Sequence, residues 1–156
     1  LHNARWHAER FSMPSTEALV TVLGGMAVFR RKIHTLDDMT AAIRQGMPFP
    51  ALKTVALVAQ LDLLRMAHVL RIPPRTLAQP QQQGRLSPDE SDRLTRFARI
   101  VEMAHEMFDD SVKVARWLQR PNRALRNVAP LDLLDTDIGT QAVETTLGRL
   151  GSGVYS

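Results

Sequence analysis

The sequence predicts an all-α fold. Three observations carry this expectation. Apolar residues recur at three- and four-residue spacing along nearly the whole chain, helix-starting and helix-stopping residues punctuate those runs, and no stretch of alternating β-branched residues occurs. Eight or nine short helices are expected, with a seam near residues 105–112.

Taken in order, Ser15 or Thr16 caps a first helix through Ala18 to Val22, and Gly24-Gly25 breaks it before Met26 to Arg31 resumes. Thr35 followed by Leu36-Asp37-Asp38 places acids in the first turn of a helix that Gly46 stops, with Pro48 beyond. Ala51 to Gln60 is apolar on most faces and is expected at the centre of the core. Leu63, Leu64, Ala67 and Leu70 form the next helical stripe, which Ile72-Pro73-Pro74 ends. Pro74 suits the first position of a short helix, Pro74 to Ala78, followed by a loop from Gln81 to Arg85. Ser87-Pro88-Asp89-Glu90 supplies cap, N1 proline and first-turn acids for the longest helix, which carries Leu94, Phe97, Ala98, Val101 and Ala104 on one side to about Met107. Asp109-Asp110-Ser111 turns the chain into Val112 to Gln119, closed by Trp117-Leu118. Pro121-Asn122 starts a short element, Asn127 is a left-handed candidate after it, and Pro130 to Leu134 forms an amphipathic turn. Thr136 then caps a final helix carrying Ile138, Ala142, Val143, Thr146, Leu147 and Leu150, and Gly151-Ser152-Gly153 releases a tail, Val154-Tyr155-Ser156, that carries the only tyrosine.

At 156 residues and 44% hydrophobic content the chain can bury a core without staples. It has no cysteine, so disulfides and thiolate metal sites are excluded, which suits a reducing, cytoplasmic setting. No apolar run approaches the roughly 20 residues of a spanning helix, and no signal-peptide pattern opens the chain. The net charge of +4 is unevenly spread: residues 1–126 hold 19 Lys or Arg against 12 Asp or Glu, and residues 127–156 hold 1 against 4. A basic body and an acidic end result. The basic body fits either a nucleic-acid partner or a solvated face.

Two short helices joined by a tight turn at Leu61 to Gln83 read either as a helix-turn-helix or as a plain packed pair. In the first case the groove-facing side chains are Arg75, Thr76, Gln79, Gln81 and Gln82. Pro80 opposes a long recognition helix, because proline inside a helix costs about 3 kcal/mol. Signals for catalysis are poor. His105-Glu106 begins like a zinc-protease helix, but Asp109 stands where the second histidine is needed; Gly148, Gly151 and Gly153 lack the flanking strand of a phosphate loop; and no nucleophile elbow is present. No catalytic residue, metal ligand or cofactor is expected.

Dispersed blocks in order from Val22 to Ser156 resemble the Xre/MbcA/ParS-like antitoxins of bacterial toxin–antitoxin operons. They are Gly24-Gly25, Gly46-Met47-Pro48, Arg75-Thr76-Leu77, Arg85 to Leu94, Ala115 to Leu118, Arg120-Pro121-Asn122, Ala124-Leu125, Pro130 to Thr136, Gly139, Val143-Glu144, Leu147 to Arg149 and Gly153 to Ser156. The chain departs at Arg126-Asn127, where the family often has Gly-Gly, and at Gln79-Pro80, where it tends to have arginines. The resemblance implies an N-terminal helical arm over residues 1–34, an Xre-like helix-turn-helix and dimerisation domain over 35–104, and a small helical toxin-binding domain over 105–156. It also implies a homodimer within a hetero-oligomeric complex, a RES-domain toxin that consumes or transfers from NAD, and operator DNA for autoregulation. The toxin-binding residues it points to are Trp117, Arg149, Gly153, Val154, Tyr155 and Ser156, the tail blocking the toxin's pocket. The competing reading is a stand-alone helix-turn-helix regulator without a toxin partner.

Overall fold

The computed structural model describes residues 13–78 and 84–153. Gln79, Pro80, Gln81, Gln82 and the tail residues Val154, Tyr155 and Ser156 lie outside the described residues, as do residues 1–12 of the N-terminal arm. Among the described residues the fold is all-α: helices α1 (Thr16–Val22), α2 (Gly25–Phe29), α3 (Leu36–Gln45), α4 (Phe49–Val58), α5 (Leu63–Val69), α6 (Pro74–Leu77), α7 (Pro88–Phe108), α8 (Ser111–Gln119) and α9 (Asp137–Gly151). Two 3-10 turns, η1 (Arg123–Leu125) and η2 (Pro130–Leu133), link α8 to α9. No helix among the described residues is long and apolar enough to cross a membrane.

Local chemistry sets the boundaries. Ser15 caps α1 by accepting from the Ala18 N–H, and Gly24, at φ 112°, separates α1 from α2. Full capping boxes open α3 and α7: Thr35 Oγ1 accepts from the Asp38 N–H while the Asp38 carboxylate accepts from Thr35, and Ser87 and Glu90 exchange the same pair. The backbone N–H groups of His34 and Thr35 hold the Asp38 carboxyl below its ordinary pKa. Gly46 ends α3 at φ 87°.

The 21-residue α7 is the axis of the molecule. It touches α1, α3, α4, α8 and α9, so both ends of the chain are built on it. Leu94, Phe97, Ala98, Val101 and Ala104 are buried as their spacing predicts. They join one continuous apolar cluster that reaches from Val22 to Leu147.

Three stripe positions fall on the wrong side of their helices. Leu64 is 74% exposed, because α5 buries Met66, Ala67 and Val69 instead. Ile138, at 80% exposure, and Ala142 face solvent because α9 turns the neighbouring ridge of Gly139, Val143, Thr146 and Leu147 inward; one residue of offset is about 100° around a helix. Gly151, expected in a loose linker, is the last residue of α9, with Ser152 as its C-cap.

Candidate functional site

The paired helices α5 and α6 form the helix-turn-helix element. Asp62 caps α5 by accepting from the Arg65 N–H at 2.8 Å. The turn is tight: Arg71 takes φ 54°, and the Ile72 N–H donates back to the Ala67 carbonyl at 2.8 Å, burying Ile72. From α7, the Arg93 guanidinium donates to the Leu70 carbonyl at 2.6 Å, placing a cation at the carbonyl end of α5. The second helix is a stub of four residues that closes at Ala78. Arg75 is exposed on it and Thr76 is half-buried. Of the five side chains expected to face DNA, these two are described; Gln79, Gln81 and Gln82 are not.

The C-terminal half is organised around η2. Thr136 caps α9 by accepting from the Gly139 N–H at 3.0 Å, and a Cβ at Gly139 would overlap the Leu133 carbonyl oxygen. Glycine is therefore what lets α9 sit against η2. Between η1 and η2 the chain takes two successive left-handed residues, Arg126 at φ 56° and Asn127 at φ 62°. Asn127 was the expected one, and Arg126 joins it. Glycine suits both conformations better than arginine or asparagine does. The reversal is held by an antiparallel bridge between Asn122 and Val128 and by the Asn127 N–H donating to the Asn122 carbonyl at 2.9 Å.

Ion pairs join the two halves. Arg65 pairs with Asp132 at 3.2 Å and Arg71 with Asp135 at 3.1 Å, locking the helix-turn-helix to η2. Arg96 pairs with Asp137 at 3.4 Å, and Arg99 donates to Glu144 at 2.7 Å. Those four carboxylates are all the acids in residues 127–156. The acidic end is thus neutralised within the fold by arginines of the basic body. Between η2 and the α5–α6 unit lies a cleft of about 620 Å³ lined by Leu64, His68, Ile72, Leu77 and Leu131, with Asp135 at its edge. Because the Arg65 and Arg71 pairs are half-exposed, Asp132→Asn and Asp135→Asn should each change unfolding stability by less than about 1 kcal/mol. Chemical denaturation checks this, and a loss above about 2 kcal/mol would show that the pairs are desolvated clamps.

A second groove, of about 370 Å³, opens where α7 passes into α8. Trp117, half-buried, stacks in a tilted arrangement on Phe108 with ring centroids 5.9 Å apart. Lys113, Arg116 and Arg120 rim the same groove, spaced three and four residues apart on α8 and its C-cap, and all three are exposed. Sequence reasoning singled out Trp117 and missed these four neighbours, although the spacing of the three cations around Trp117 was legible. Arg149, on the last turn of α9, is exposed and does not line this groove. Gly153, at φ 71°, follows the C-cap of α9 in open space.

Burial, and then Glu106, raise the Glu102 carboxyl above its ordinary pKa, with His105 opposing. No group of three or more metal-ligating side chains occurs among the described residues.

Two family models match the chain in tandem. Residues 38–99 match the antitoxin Xre-like helix-turn-helix domain, and residues 103–153 match the antitoxin Xre/MbcA/ParS C-terminal toxin-binding domain. Among curated proteins, an Antitoxin Xre of Yersinia enterocolitica is 31% identical over 74% of this chain and 79% of its own length. An Antitoxin Xre of Photorhabdus laumondii is 31% identical over 76% of this chain and 81% of its own. A Prs ADP-ribosylating antitoxin of a Sphingobium species is 26% identical over 76% and 81%.

Proposed function

Since this chain belongs to the Xre/MbcA/ParS-type antitoxins, we propose that it neutralises a RES-domain toxin by seating its C-terminal domain on the toxin and blocking the toxin's active site with its C-terminal end. At the coarser level it is a type II antitoxin. The observation that carries the finer reading is the match of residues 103–153 to a toxin-binding domain, with α9 delivering Gly153 at its exposed end. The Sphingobium relative's name pairs an antitoxin with ADP-ribosylation of Prs, and this supports a toxin that consumes NAD or transfers ADP-ribose from it.

In this reading Trp117 and Arg149 belong to the platform. Gly153 gives reach, and Val154, Tyr155 and Ser156 form the plug. Tyr155 supplies a ring and a hydroxyl for a nucleotide pocket. The protein works by binding, in the cytoplasm, as a homodimer within the toxin complex.

Its helix-turn-helix also reads operator DNA, through Arg75, Thr76, Gln79, Gln81 and Gln82. The four-residue α6 limits the groove contacts that helix makes, so phosphate contacts contribute most of the affinity.

The test is deletion of residues 153–156. The truncated protein is expected to keep its fold and melting temperature and to lose protection of cells expressing the toxin. Full protection at equal expression would show that the helical platform neutralises without the plug.

A further inference from the structure

The formal charge of the C-terminal half misleads about the face it offers. Residues 103–153 carry seven acids and six cations. Four of those acids, Asp132, Asp135, Asp137 and Glu144, are turned inward onto Arg65, Arg71, Arg96 and Arg99, arginines that all lie outside residues 103–153. Of the three that remain, Asp110 is engaged at the start of α8, accepting from the N–H groups of Val112 and Lys113. The charge left for a partner is therefore basic. It is concentrated at the groove of Phe108 and Trp117, whose rim holds Lys113, Arg116 and Arg120 and no acid.

We infer that this groove is a docking site for an acidic segment of the toxin that carries one large apolar side chain. The inference rests on the toxin-binding reading above and adds to it the place and chemistry of the contact. Charge complementarity selects the occupant. The three exposed cations make no ion pair among the described residues and project from one face, so they meet carboxylates with little rearrangement. The tilted Phe108–Trp117 pair forms an apolar floor between them, where an inserted side chain is desolvated. Aromatic and arginine side chains in one shallow pocket are the combination that dominates binding energy at protein interfaces. The Trp117 ring also offers its face to a cation only if the surrounding positive charge is first neutralised, which disfavours a basic occupant.

The test uses the whole chain of residues 1–156 and a RES-domain toxin whose active site has been disabled. Lys113→Glu, Arg116→Glu and Arg120→Glu are combined, and a parallel variant carries alanine at the same three positions. Melting curves establish that each is folded. Wild type should associate quickly at low salt and more slowly as salt rises; the charge-reversed variant should bind at least about tenfold more weakly at low salt and lose most of that salt dependence. The alanine variant should fall between them. In a Trp6→Phe background Trp117 is the remaining tryptophan, and a fluorotryptophan label there should shift its 19F resonance when toxin binds. Toxin affinity within about twofold of wild type, together with an unmoved Trp117 signal, overturns the inference while leaving the antitoxin reading intact. Retained toxin binding with lost affinity for upstream operon DNA overturns it in favour of a nucleic-acid contact. Failure of wild type to bind the RES-domain protein at all overturns the partner reading, and this inference with it.

Discussion

Phe97→Ala is expected to cost about 3–5 kcal/mol of unfolding free energy, a large share of the roughly 5–15 kcal/mol a domain possesses. Phe97 is 1% exposed and is among the largest fully buried side chains. It sits midway along α7, the helix that touches α1, α3, α4, α8 and α9, so the vacated volume adjoins several elements at once. Collapse around the cavity is opposed by this arrangement, because α7 is held at Arg93 and Arg99 by bonds to α5 and α9. For a chain of this size each kcal/mol lowers the melting temperature by about 2–4 °C, so a drop on the order of 10 °C is anticipated. Far-UV circular dichroism and Trp117 emission should report the same midpoint, since one apolar cluster runs from Val22 to Leu147. A loss below about 1.5 kcal/mol would mean that α7 can shift to refill the site.

Gly46→Ala is expected to destabilise by about 2–6 kcal/mol for two separable reasons. Its φ of 87° lies where L side chains are rarely found, a strain of about 1–3 kcal/mol, and a Cβ there would overlap the Leu86 carbonyl oxygen, adding about 1–3 kcal/mol of overpacking. The neighbourhood cannot yield easily. Arg85 donates to the Gly46 carbonyl at 2.9 Å, the Leu86 N–H donates to Met47 at 2.9 Å, and the Met47 N–H donates to the buried Ser91 hydroxyl at 2.8 Å. This short pairing of residues 46–49 with 84–86 is where the chain returns from the helix-turn-helix to α7. Gly25→Ala provides the control: its φ is also positive, at 59°, but nothing lies within 4 Å of a Cβ there. It should cost only the backbone strain. Equal losses in the two variants, measured by urea denaturation, would show that the Leu86 contact contributes nothing.

Much of the local structure was legible because its causes are local. Ser15, Thr35, Ser87 and Thr136 act within three residues of themselves, and the Gly46 and Pro73-Pro74 stops need only the backbone. The stripe of α7 was also readable, since a 21-residue helix repeats its pattern often enough to fix which face is apolar. Short helices repeat it too few times. Leu64 on the seven-residue α5 was placed inward and lies outward, and on α9 the Ile138–Ala142 ridge competed with the Val143–Leu147 ridge until contacts with α7 and η2 chose between them. At the candidate site Trp117 was visible as an aromatic closing a helix; its partner Phe108 and the shared rim of Lys113, Arg116 and Arg120 needed the turn at Asp109 to bring α7 and α8 together.

The order of the helices and their capped starts, the all-α class and the membership of the antitoxin family were determined by the sequence alone, because capping, periodicity and ordered motifs are encoded within a few residues of where they act. The working charge of the molecule was decided only by tertiary structure. A basic body and an acidic end are facts of composition, yet folding brings Asp132, Asp135, Asp137 and Glu144 against arginines 41 to 67 positions away. Ion pairing falls off steeply with distance and is indifferent to separation along the chain. With those acids turned onto the body, the charge left exposed in the C-terminal half is the basic rim of Lys113, Arg116 and Arg120 around Phe108 and Trp117.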